Sequence, residues 1–155
     1  METKYGILSS SIEVFRGISK YKTTGIGSIS DRIRYHMEKM HVSQETLSKY
    51  CGCSKDVIYY YVNCKCLEEN MNITVLKKIA GFFEKPPYYF CNAYLTFIDE
   101  KNVPVVLKKL RQEKGMTQSQ FAQLYHIPLA CYKGYENGKT RLQYKYWKRI
   151  FPHLE

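Results

Sequence analysis

Four of the six cysteines in this 155-residue chain fall in two short clusters, CGC at 51–53 and CKC at 64–66, and clustered thiols invite a zinc reading. Structural zinc sites space their paired cysteines by about two to four residues, whereas here a single residue intervenes. Aligned with an internal repeat of the chain described below, Cys51 and Cys53 fall on core positions, Cys53 opposite Ile127, and there a reduced cysteine behaves as a small apolar residue. The four histidines, at 36, 41, 126 and 153, share no ligand spacing. No nucleophile stands in pattern with a base, no carboxylates pair, and no glycine-rich phosphate loop occurs. The residue set points away from catalysis, and neither a metal nor an organic cofactor nor a small-molecule substrate is expected. Among the 15 tyrosines, Tyr50, Tyr61, Tyr125, Tyr132 and Tyr135 follow helical core spacing, so they read as packing rather than as stacking platforms for single strands.

Charge supplies the second kind of chemistry. The chain carries 24 Lys and Arg against 14 Asp and Glu, a net +10. Residues 101–155 hold 11 of these cations against 3 acids, a balance of +8. Such a basic third implies a polyanionic partner, nucleic acid before membrane, because no long basic amphipathic face accompanies the excess. The longest nearly uncharged apolar stretch, Tyr88 to Ile98, is short of the roughly 18 to 20 residues of a span. The N-terminus has no apolar run of signal-peptide length, so a cytoplasmic location is expected.

These groups have to be positioned by helices. Apolar residues recur at helical spacing from Ile29, through Ile33, Met37 and Met40, then Leu47, Tyr50 and Cys51, then Val57, Ile58 and Tyr61, then Ile73, Leu76, Ile79, Ala80 and Phe83. A second series follows: Val103, Leu107 and Leu110; Phe121, Ala122 and Tyr125; Tyr132 and Tyr135; Leu142, Tyr146, Ile150 and Leu154. Thr117 with Gln120 forms a capping box, Ser43 and Ser54 stand where caps belong, and Pro104 falls in a first helical turn. The two series align without gaps at one constant offset, with Ser43 on Thr117, Leu47 on Phe121, Ser48 on Ala122 and Ile58 on Tyr132. Gly52 and His126 occupy the same turn, where φ > 0 suits glycine and histidine tolerates it.

The second series, LKKLRQEKGMTQSQFAQLYHIPLACYKGYENGKTR, resembles the helix-turn-helix domains of the phage repressor and Cro (XRE) family over residues 103–155. Arg111, GMTQ, Phe121 with Ala122, Ile127 and YENGK carry the likeness, and residues 29–91 resemble a divergent member. The resemblance implies an all-α chain of two tandem lambda-repressor-like domains, each of four to five short helices. Residues 1–28 would be an N-terminal arm and residues 92–102 a linker.

In that family one helix crosses the DNA backbone and the next enters the major groove. By position, Gln118, Asn137, Lys139 and Arg141 would hold phosphates, as would Gln44, Asn63 and Lys65 in the first copy. Base edges would meet Leu129, Ala130, Lys133 and Gly134, and in the first copy Lys55, Asp56, Tyr59 and Tyr60. The first set is mostly apolar and the second includes a carboxylate that phosphates repel. The expected partner is double-stranded DNA, with a homodimer compatible, in a transcription regulator. The alternative is a protein-interaction or antitoxin-like adaptor that keeps the fold without specific readout.

The resemblance also pairs Arg111 with Glu136 as a partly buried bidentate ion pair. The first copy has Met37 and Val62 at these positions, so both partners change to apolar residues together, which preserves the fold. Gly138 aligns with Cys64, and because cysteine lacks glycine's freedom at a left-handed cap, the first copy is expected to leave its third helix by a different turn.

Overall fold

The computed structural model describes residues 27–154, so the N-terminal arm expected over 1–28 lies outside the described residues apart from its last two. Among the described residues there are nine α-helices, two short 3-10 turns and no strand. The chain divides into two compact units, the first ending at Leu95 and the second beginning at Thr96.

The first unit holds α1 (Ile29–Lys39), α2 (Gln44–Cys51), α3 (Lys55–Val62), a 3-10 turn (Glu68–Asn70) and α4 (Ile73–Phe82). Helix α5 (Ala93–Glu100) carries the boundary, so the stretch 92–102 expected as a linker is largely helical. Asn92 starts it by accepting the Leu95 N–H at 2.9 Å. Tyr94, Leu95, Thr96 and Phe97 are all buried. The second unit continues with α6 (Val103–Glu113), α7 (Gln118–Leu124), α8 (Leu129–Glu136), α9 (Tyr144–Ile150) and a closing 3-10 turn (Pro152–Leu154).

Local signals set the helix ends. Ser28 with Asp31 forms a capping box on α1, Ser43 accepts from the Thr46 N–H, and Thr117 with Gln120 boxes the start of α7. Asn102 and Pro104 open α6. Ser54 occupies the N-cap of α3 without a side-chain hydrogen bond, as Pro128 does for α8, so neither of these helices has the side-chain cap expected of Ser54.

Helices α1 and α6, α2 and α7, and α3 and α8 begin at one constant offset, the offset that sets Ser43 on Thr117. The fourth helices, α4 and α9, fall out of this register because the connection into α4 is longer than the connection into α9. The extra length falls in the stretch holding the Glu68–Asn70 turn, which ties two parts of the first unit together. Glu68 accepts the Ile29 N–H at 2.7 Å and the Asn92 Nδ2 at 3.3 Å, joining the start of α1 to the start of α5.

Each unit buries one stripe per helix. In the first, α2 packs on α3 and α4 while α1 packs on α3; in the second, α6 and α7 both pack on α8. Leu47, Ile58, Leu76 and Ile79 are fully enclosed in one core, and Leu107, Phe121, Tyr132 and Trp147 in the other. Ser48 and Ala122, the small residues expected at close helix crossings, are both buried. Tyr50 and Met40 depart from their expected core placement and are more than half exposed. Met40 is the C-cap of α1, beyond its last full turn, and Tyr50 lies at the end of α2, its ring meeting that of Phe82 edge to face with centroids 5.0 Å apart.

Candidate nucleic-acid interface

Helix α8 is anchored from below and open above. Its buried side is Tyr132, Tyr135 and Glu136, a spacing that places all three on one helical face. Tyr132 stacks obliquely on Phe121, ring centroids 5.0 Å apart, which holds α8 against α7. The opposite side leaves Leu129, Ala130 and Lys133 exposed, with Asn137, Lys139 and Arg141 exposed just beyond its end.

Arg111 of α6 fixes the far end of α8. Its Nε donates to Glu136 Oε2 at 2.9 Å and its Nη2 to Oε1 at 2.6 Å, while Nη1 donates to the Met116 carbonyl at 2.9 Å. The Glu136 side chain is only 4% exposed. The bonds from Arg111 hold its carboxyl below the ordinary value against the opposing effect of burial, and the side chains of Tyr132 and Gln118 add to the lowering. The same bonds raise Arg111. Burial first, and Glu136 second, push the Tyr132 phenol upward. A fork between two planar groups fixes orientation as well as distance, so α6 and α8 are locked at one angle.

Gly134 belongs to this anchorage and not to the open side. A side chain there would start 2.6 Å from the Thr140 hydroxyl, which lies against the helix. The Gly134 carbonyl accepts from Lys139 N–H at 2.9 Å and Thr140 N–H at 3.3 Å, closing the turn through Gly138 at φ 70°. Its placement among the base-reading positions is therefore corrected: it accommodates the returning chain. Gln118, expected at a phosphate, is half-buried with its side chain beside Glu136.

The first unit replaces these ties. Met37 and Val62 are buried at the positions that Arg111 and Glu136 occupy in the second. Arg34, one turn earlier on α1, donates through Nη2 to the Val62 carbonyl and through Nη1 to Asp31 Oδ1 at 3.3 Å. An arginine from the first helix thus still reaches the last residue of the third, main chain replacing carboxylate as acceptor. Around Met37 and Val62 an open groove of about 630 Å³ remains, lined also by Arg34, His41, Gln44 and Asn63.

Lys55, Asp56, Tyr59 and Tyr60 are exposed along α3, and the two tyrosine rings meet edge to face at 5.8 Å. The Asn63 amide donates to the Tyr59 carbonyl at 2.8 Å, so this side chain closes its own helix. Lys65 is exposed.

The exit from α3 does not differ from the exit from α8. Cys64 takes φ 54° against 70° at Gly138, and Lys65 N–H reaches the Tyr60 carbonyl at 2.9 Å, the bond Lys139 makes to Gly134. The different turn expected for the first copy is overturned: the exposed Cys64 takes the left-handed conformation and the same closing bond forms after it. His41 and Gly115, at φ 52° and 63°, and Gly52 and His126, at 65° and 53°, form two further left-handed pairs at equivalent positions of the two units. At all three places one unit uses glycine and the other does not.

Two cross-ties were not anticipated from the sequence. Lys78 of α4 donates to the Cys51 carbonyl at 3.0 Å, and Arg149 of α9 donates through Nη1 to the carbonyls of His126 at 2.7 Å and Tyr125 at 3.4 Å. Cys51 is buried and Cys53 half-buried, and burial raises both thiols, Cys51 to about 11. Among the described residues no group of three or more His, Cys, Asp or Glu is placed to hold a metal ion. No described helix is long and apolar enough to cross a membrane.

Residues 107–151, from α6 through α9, match the helix-turn-helix family model. The match supports an XRE-like helix-turn-helix over this stretch. No curated protein and no solved structure matches the chain.

Proposed function

We propose that this chain is a sequence-specific, double-stranded DNA-binding transcription regulator in which α8 enters the major groove. The observation that carries the reading lies within the helix-turn-helix match: α8 is anchored by Tyr132, Tyr135 and Glu136 while Leu129, Ala130 and Lys133 stay exposed. The family's architecture uses a helix in this position to read base edges. Lys139, Arg141 and Asn137 beside it fit phosphate contacts, and the +8 balance over residues 101–155 supplies the long-range attraction. Readout by Leu129 and Ala130 is apolar, suited to thymine methyl groups, and Lys133 fits a guanine edge.

Two tandem domains, 29–91 and 103–155, complete the proposal, in a cytoplasmic protein able to pair as a homodimer. The exposed Tyr59–Tyr60 pair beside Asp56 favours a protein partner for α3, the adaptor reading, over base contacts there.

Fluorescence anisotropy with duplex DNA across salt concentrations tests both parts. Wild type should show a steep salt slope, and Lys133→Ala/Lys139→Ala/Arg141→Ala should flatten it by about 0.9 for each phosphate neutralisation removed. Absence of binding at low salt, or a triple variant that binds like wild type, rejects DNA contact at α8. Lys55→Ala/Lys65→Ala should leave the slope unchanged; a flatter slope would assign α3 to DNA.

A further inference from the structure

We propose that Arg149 is a positioning residue of the helix-turn-helix: reaching from α9 to the carbonyls of Tyr125 and His126, it fixes the angle at which α8 follows α7. The inference rests on the reading of α8 as the recognition helix, and its structural half is testable without that reading.

The turn between α7 and α8 is where fixing is needed. His126 holds φ 53°. A side chain in that region is strained and persists only where surrounding contacts determine it. Arg149 Nη1 lies 2.7 Å from the carbonyl of this same residue. The neighbouring Tyr125 carbonyl, at 3.4 Å, belongs to the C-cap of α7, where unpaired carbonyls and the helix dipole favour a cation. The guanidinium also lies over the Tyr146 ring, 5.3 Å from its centroid, which limits where it points.

The first unit repeats the device with a change that follows the backbone. Lys78 holds the same place counted from the start of α4 as Arg149 holds from the start of α9, and it bonds the Cys51 carbonyl at the end of α2 at 3.0 Å. There the turn residue is Gly52 at φ 65°, which carries no side-chain strain, and a lysine with one bond stands opposite it. Where the turn residue is histidine, the cation is an arginine reaching two carbonyls.

Hydrogen exchange on the full chain decides the structural half. Arg149→Ala should speed exchange of the Tyr125, His126 and Ile127 amides about tenfold, as expected for the loss of a charged donor at the turn. Lys145→Ala, the same charge loss from the same helix, should leave them unchanged, and Arg149→Lys should restore most of the protection with one bond, as Lys78 does. Unchanged exchange in Arg149→Ala overturns the proposal whether or not the protein binds DNA.

Duplex binding decides the functional half: Arg149→Ala should weaken affinity severalfold with the salt slope kept. A slope flattened by about 0.9 would make Arg149 a phosphate ligand instead, and faster exchange with unchanged affinity would show that the clamp does not position α8 for binding; either overturns the role. If wild type binds no duplex, the DNA reading fails by itself, and the exchange result alone decides whether the clamp exists.

Discussion

The two units solve one problem, holding a third helix at a fixed angle against a first, with opposite chemistry. The second uses the Arg111–Glu136 fork, nearly enclosed, and the first uses buried Met37 and Val62 with Arg34 on the Val62 carbonyl. Burying an ion pair brings a large desolvation penalty that its Coulomb attraction roughly offsets, so exchanging the whole pair for packed apolar groups changes stability little. Exchanging half of it does not have that escape. The second unit has the complete charged pair and the first a complete apolar one.

The comparison can be broken most forcefully at this site. Glu136→Ala leaves a largely buried guanidinium without its partner and should destabilise the second unit by about 3 kcal/mol, whereas Val62→Ala should lower the first by about 1–2 kcal/mol. Trp147, the single tryptophan, is buried in the second unit, so its fluorescence in urea follows that unit alone, and hydrogen exchange of α1–α4 follows the other. Equal or reversed losses would reject the argument. Arg111→Met with Glu136→Val, which transplants the first unit's solution, should recover most of the loss.

The cap after the third helix sharpens the contrast with opposite signs. Gly138→Ala places a side chain at φ 70° with its Cβ 3.3 Å from Pro104 Cγ and should destabilise the second unit by about 1–2 kcal/mol. Cys64→Gly relieves strain at φ 54° and should stabilise the first by about 0.5–1 kcal/mol, net of glycine's extra unfolded entropy. A destabilised Cys64→Gly in the exchange measurement would mean that the thiol contributes packing that outweighs its strain.

The smallest contrast is in acid. His36 is buried in the first unit with its Nε2 3.0 Å from the Tyr89 hydroxyl, and burial first, then Lys85 and Lys39, lower its pKa. The unfolded histidine takes its proton near 6.5, above the folded one, so this stabilisation is complete above that pH and fades as pH falls through the lowered folded value. The second unit has Leu110 at the matching position, and its lowered group is Glu136, whose contribution fades only below the ordinary carboxyl value of 4.5. Protection of the α1 amides should therefore fall as pH drops below 6.5 while the urea midpoint followed by Trp147 fluorescence stays constant over the same range. Parallel loss in both units would remove His36 as the cause.

Much of this was legible beforehand because it is local or paired by side-chain type. Apolar spacing located the helices, Thr117 with Gln120 marked the start of α7, and Arg111 with Glu136 stood out as a complementary pair where Met37 and Val62 at the offset positions are both apolar. Tyr50 misled because helical spacing names a face without saying how far along the helix that face stays covered. Gly134 misled similarly, since nothing in its position announces that Thr140 lies on it.

The sequence by itself determined the all-helical pattern, the constant offset between the two series and the exchange of a charged pair for an apolar one, all through side-chain identities at regular spacing. Only the tertiary structure decided that Cys64 copies the turn of Gly138, that Arg34 reaches Val62, and that Lys78 and Arg149 clamp the ends of α2 and α7. Each of these depends on a backbone carbonyl or a backbone angle. Because every residue offers the same carbonyl, a donor that finds one leaves no complementary partner type in the sequence to read.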